Sequence, residues 1–453
     1  LAVILTVLFM NGKKLGLVSV VDEDAEQYED SLYFTANDQK SNWDESSATF
    51  ITLDGDSCKI SGNGAYEYED DIVISGGGYY VISGEWDDGS IVVDANSSSK
   101  VFIKLKGVNI YCSDDACFRV NQADKVFLTL AEDTDNTLES GAEYSDDALA
   151  DGAAGVIFAH DDLTINGDGS LTVTANYKHG IDANDDLIIT GGYIMVFSPK
   201  DGLHVNDSIR IKSADIVIEA EDDGVVTAKE SGYLYMESGS LDIISSDDGI
   251  HTTGDVLVDG GDIEITAGDD GIHSDTNVTV NKGNINIPQC YEGIEALTID
   301  VTGGEIEIYP SDDGLNANGG SGDMFGMAGQ ENMGGMQGGT DGTAQTDNNT
   351  ADSNTADTDG NSDGSQMGPG NGNMQPPDMQ NANTDDDSSS EDNSEEEETY
   401  INISGGKLTI INENGQDADG LDSNGSIYIS GGEIYVSLSG NGTNNAIDYG
   451  SEK

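Results

Sequence analysis

Carboxylates placed one and two residues before a recurring glycine are the groups in this sequence best suited to chemistry. The glycine stands at positions 180, 202, 224, 249, 271, 293 and 314, at intervals of 22, 22, 25, 22, 22 and 21 residues. Directly before it come His179, Asp201, Asp223, Asp248, Asp270, Glu292 and Asp313, and one position earlier Lys178, Lys200, Asp222, Asp247, Asp269, Tyr291 and Asp312. A further copy, Asp417-Ala418-Asp419-Gly420-Leu421, follows much later. If successive copies stack at the ~4.8 Å spacing of paired strands, these acids form columns of like charge. Such columns are unfavourable even in a screened medium. Either some carboxylates hold a proton, or divalent cations lie between them. Calcium suits the second option, because it accepts six to eight oxygen ligands in flexible geometry. Asp201, Asp222, Asp223, Asp247, Asp248, Asp269, Asp270, Asp312 and Asp313 are then the candidate ligands. The alternative is a solvated turn, with Asp bonding local amides and Gly taking a positive φ.

A second column lies two residues after each glycine: Asp182, His204, Val226, His251, His273, Glu295, Asn316 and Asp422. It carries three of the five histidines. Strand alternation directs it outward, as solvated residues or, alternatively, as a zinc ladder. Four cysteines, Cys58, Cys112, Cys117 and Cys290, show no zinc-ligand spacing. Cys112 and Cys117 either close a small loop or are unpaired.

The elements that position these groups follow from the same period. After Asp269-Asp270-Gly271-Ile272-His273 come Val278-Thr279-Val280, Gly283 and Ile285-Asn286-Ile287. Each apolar group alternates with polar residues over three to five positions, which is strand periodicity. Three short strands in about 22 residues describe one turn of a solenoid, whose apolar side is buried only by stacking on its neighbours. The expected fold is all-β, a parallel β-helix; an antiparallel sandwich leaves the near-constant period unexplained.

Composition divides the chain. Residues 1–10 read as the remnant of a signal peptide or signal anchor, and 11–48 as an acidic linker. Residues 49–175 form irregular first rungs and a cap, and 176–318 the regular rungs. Residues 319–398, rich in Gly, Asn, Asp, Ser and Met, are too poor in branched aliphatics to offset ordering entropy and read as a disordered insertion. Strand texture returns over 399–453. With 87 Asp plus Glu against 17 Lys plus Arg, the formal net charge is −70. Nucleic acid is excluded as a partner, since phosphate binding needs basic clusters.

The segments SDDGIHTTGDVLVDGGDIEITAGDDGIH, CYEGIEALTIDVTGGEIEIYPSDDGLNANGG and DADGLDSNGSIYISGGEIYV resemble a bacterial family of carbohydrate-binding, polysaccharide-lyase-like β-helix proteins. That resemblance spans about residues 45–318 and 399–453. It implies a right-handed β-helix, calcium binding, and affinity for plant cell-wall polysaccharide such as cellulose and pectin. It also implies an exported protein, secreted or held at the cell surface, with membrane contact only through an N-terminal anchor. A monomer is expected. Lys178, Lys200, Arg210 and Tyr291 are the candidate carbohydrate contacts, and the three basic residues are also the candidate bases of a calcium-assisted lyase. Acid pairs that recur in rung after rung favour ion binding over catalysis, which needs one special constellation. A structural or adhesive spacer is the third reading.

Overall fold

A computed structural model describes residues 30–318, 399–413, 415, 418–440 and 443–450. The N-terminal apolar run, the first part of the expected linker, the 319–398 segment and Asp417 lie outside the described residues. The chain winds as a parallel β-solenoid of about 12 turns, each full turn adding one strand to each of three sheets. A typical turn consists of Ile250–Thr252, Val256–Val258 and Asp262–Thr266. The first of these strands follows the recurring glycine and belongs to what we term the corner sheet.

Inside that sheet, Ile181, Leu203, Val225, Ile250, Ile272, Ile294, Leu315 and Leu421 pair in one unbroken register. All eight are fully buried. Each such side chain contributes roughly 1.5–3 kcal/mol by burial, so the inward columns hold the coils together. The turn glycine is required for a different reason from the one expected. None of the copies from Gly180 to Gly314 has a positive φ. Instead, a Cβ at Gly249 would lie 2.3 Å from Ile265 Cγ2 and 2.6 Å from the Gly271 carbonyl oxygen, so neighbouring coils leave no room for one. Positive φ falls to the second glycine of the Gly-Gly turns, as at Gly261 and Gly304.

Among the described residues, antiparallel pairing is confined to the start, where Thr49–Gly55 meets Ser57–Ser61 and Ala65–Tyr68 meets Asp71–Ile74. From Lys100–Cys112 onward the ladders are parallel, so much of the region expected to be irregular is regular solenoid. Register also survives the long insertion. Leu315–Ala317 pairs with Leu421–Ser423, and Tyr400–Ile403 pairs with Thr298–Val301. Cys112 and Cys117 are buried and unbonded to each other.

The linker reading of 11–48 fails from residue 30 onward. This stretch is a strap across the outside of a second sheet. Phe34 packs on Ile188 and Tyr235, and Trp43 on Val81. A single helical turn, Ala36–Gln39, is fixed by a reciprocal Thr35–Asp38 capping box. Asp38 is fully buried, accepts from the Thr164 hydroxyl at 2.8 Å and pairs with Lys125 Nζ at 2.9 Å. Acidic residues are frequent here, but sparse aromatics and two paired carboxylates, Asp38 and Glu45, determine the docking.

Candidate functional site: a carboxylate and imidazole corner

The residues before the turn glycines form a real column. Its buried members are His179, Asp201, Asp248, Asp270, Glu292, Asp313 and Asp419. Backbone bonds such as Gly249 N–H to the Asp270 carbonyl at 2.8 Å fix the spacing. The carboxylates add their own ladder. Asp223 Oδ1 accepts from the Asp248 amide at 2.9 Å, Asp248 Oδ1 from Asp270 at 2.9 Å, and Asp270 Oδ1 from Glu292 at 3.1 Å. Asp313 Oδ1 accepts from Asp419 at 2.6 Å. Asp223, Asp248, Asp270 and Asp313 thus each cap an amide of the next coil, leaving the second oxygen for another partner.

The two acids of each turn have different surroundings. Asp248 and Asp270 are buried, whereas Asp247 and Asp269 are exposed. Beside the buried acids runs the column two residues after the glycine, with Asp182, His204, Val226, His251, His273 and Glu295 in register. The expectation of solvated histidines is corrected here. His273 is largely buried, with Nδ1 3.0 Å from Glu295 and 3.4 Å from Asp270. His251 Nδ1 lies 3.2 Å from Asp248, and the His251 and His273 rings stack at 4.8 Å. The acid column turns inward just enough to reach the imidazoles, a relation that alternation along one strand does not reveal.

Burial and mutual repulsion dominate the electrostatics. Desolvation, followed by the charges of Asp270 and Glu295, lifts Glu292 to about 9. Desolvation lifts Asp313 to about 7 against the opposing Asp419 amide. Asp223 and Asp270 are raised for the same first reason. Burial disfavours a charged His273, but hydrogen bonds to Asp270 and Glu295 outweigh it and raise its pKa. The corner thus favours added positive charge, as protons on the acids or as imidazolium.

Several of these groups converge closely. Ligand atoms of Asp247, Asp248 and Asp269 lie within 4.8 Å of one another, as do those of Asp223, Asp248 and His251. The carboxylates suit a hard cation. Among the carbohydrate candidates, Lys178, Lys200 and Tyr291 share the corner column. Tyr291 is 48% exposed, and its phenol, hydrogen-bonded to Asp312, is held above the usual range. Arg210 does not join them. It lies on the strapped sheet, paired with Asp186 and donating to the Tyr33 carbonyl at 3.0 Å. Both tryptophans, Trp43 and Trp86, are buried and offer no sugar platform.

A protein of Acetivibrio thermocellus described as carbohydrate-binding domain-containing is 39% identical over 129 residues. The match takes in 28% of this chain and 45% of that relative, so the chain spans less than half of the relative's length. A gadolinium derivative of the polysaccharide lyase-like protein from C. thermocellum is 29% identical, with a TM-score of 0.44, over 59% of this chain and 96% of that one. The family profile of carbohydrate-binding domain-containing proteins matches residues 68–314, more than half of the sequence, and this chain belongs to that family.

Proposed function

We propose that this protein binds acidic polysaccharide, such as polygalacturonate, outside the cytoplasm through calcium held along the corner column. The observation that carries this reading is a run of desolvated carboxylates, Asp223, Asp248, Asp270, Glu292 and Asp313, with no lysine or arginine paired to them among the described residues. Asp247, Asp248 and Asp269 would hold the ion, supported by the neighbouring rungs. Calcium supplies the charge that lets a polyanionic sugar approach a protein of net charge −70. Exposed Tyr291, between Asp269 and Asp312 in the column, supplies an apolar face for a sugar ring.

Calorimetric titration with calcium, then with polygalacturonate, tests this reading. Calcium-dependent glycan binding that weakens in the D247N/D269N double variant is expected. Equal binding in a chelator sinks the bridging mechanism. An ultraviolet absorbance rise from unsaturated product would instead assign lyase turnover, with Lys178 or Lys200 as the base at the corner.

A further inference from the structure

At the early end of the corner column, the residue preceding the glycine is His179 rather than an acid. Its ring stacks on His204 with centroids 4.4 Å apart and an interplanar angle of 23°. Asp201, in the same coil as His204, reaches the first coil, with Oδ2 3.1 Å from His179 Nδ1. Ligand atoms of His179, Asp201 and His204 all fall within 4.8 Å of one another. From this we propose that His179, Asp201 and His204 form a site for a zinc-class divalent transition metal, separate from the oxygen-rich calcium positions.

A second observation points to a missing ligand. His179 and Asp201 are 7% and 4% exposed, yet His179 Nδ1 and Asp201 Oδ1 have no hydrogen-bond partner. The close His179–Asp201 contact does not meet hydrogen-bond geometry, so a buried donor–acceptor pair is left unsatisfied. Competing cations are engaged elsewhere. Lys200 Nζ pairs with Asp222 at 2.5 Å, and Lys178 Nζ sits 5.5 Å from the centre of the Tyr177 ring.

Ligand chemistry separates this place from the acid-only groups of the corner; a second pair of imidazoles with a carboxylate, His251, His273 and Asp275, is more exposed and holds no unsatisfied buried atom. Two imidazoles with one carboxylate favour zinc, copper or nickel, whereas calcium prefers an all-oxygen set. Buried Asp182, 3.0 Å from His204 Nδ1, is the outer partner that orients that ring, an arrangement common around metal-binding imidazoles. A neutral imidazole is needed for ligation, so zinc uptake releases protons. The inference stands independently of the calcium reading.

Competition with a chromophoric zinc chelator, in millimolar calcium at pH 7.5, tests it on the full chain. One tight zinc equivalent is expected, weakened at least ~100-fold by His204→Gln and by Asp201→Asn but unchanged by His160→Gln, whose ring contacts Asn184 away from the corner acids. Visible absorption of the cobalt-loaded protein should report imidazole ligation and collapse in His204→Gln. The half-buried His204 position aligns with Val226 in the next coil, so a neutral residue there is compatible with the solenoid even if Asp201→Asn fails to fold. Absence of a tight equivalent in the parent, undiminished zinc binding in His204→Gln, or a loss in His160→Gln equal to that in His204→Gln would each overturn the assignment.

Discussion

Two faces of the solenoid repeat their outward residues at the same pitch, with opposite results. Beneath the strap, Tyr79 and Phe102 stack at 4.8 Å, Phe102 and Phe127 at 4.6 Å, and Trp43 covers Tyr79 at 4.9 Å. Charges there are matched: Lys125 with Asp38, Lys104 with Glu45 at 3.1 Å, and Arg210 with Asp186. At the corner, from Asp248 to Asp313, the same stacking places carboxylate on carboxylate with no lysine or arginine paired to the buried acids among the described residues. A solenoid amplifies whatever its columns contain. Aromatic rings at coil spacing attract. Carboxylates at that spacing repel until a cation or proton joins them.

Removing the strap's anchor should have the largest effect. Phe34→Ala is expected to cost about 3–5 kcal/mol, read by chemical denaturation, because the ring is fully enclosed. A loss below about 1 kcal/mol would show that the strap is not docked in solution. Lys125→Ala should cost roughly 3 kcal/mol by leaving Asp38 buried and unpaired. Burial alone would raise the Asp38 pKa, but Lys125 outweighs it and holds the value low. That contribution is present above the unfolded carboxylate range and fades as pH falls through the folded value. In the variant, this acid-side dependence should disappear.

The corner predicts the opposite slope. Glu292 and Asp313 titrate at about 9 and about 7 in the folded chain, above their unfolded values. Their folded-state advantage is complete below about pH 4 and is lost as pH rises through 7 and then 9. In a chelator, the melting temperature should fall across that window by about 2–4 °C per kcal/mol lost, and calcium should flatten the decline. Glu292→Gln, which keeps a carbonyl for the 2.7 Å bond from Asn316, should gain about 1 kcal/mol at pH 8 without calcium. A flat melting profile without calcium would remove the contrast between the two faces. The smallest change belongs to Asp247→Asn, within about 0.5 kcal/mol in stability because the side chain is exposed, but with weaker calcium uptake.

By itself the sequence determined the coil. A period near 22 residues, three alternating apolar groups and a glycine at a fixed point encode contacts between residues one turn apart, so the solenoid, its inward columns and its acidic columns are all legible locally. Tertiary structure alone decided which acid of each pair is buried and that the imidazoles lean onto those acids. Both depend on how one sheet turns into the next. It also decided the strap, where Arg210 donates to Tyr33 across 177 residues of chain. A contact made once, between segments that share no repeat, leaves no periodic trace to read, whereas a contact made in every coil is written into the sequence each time.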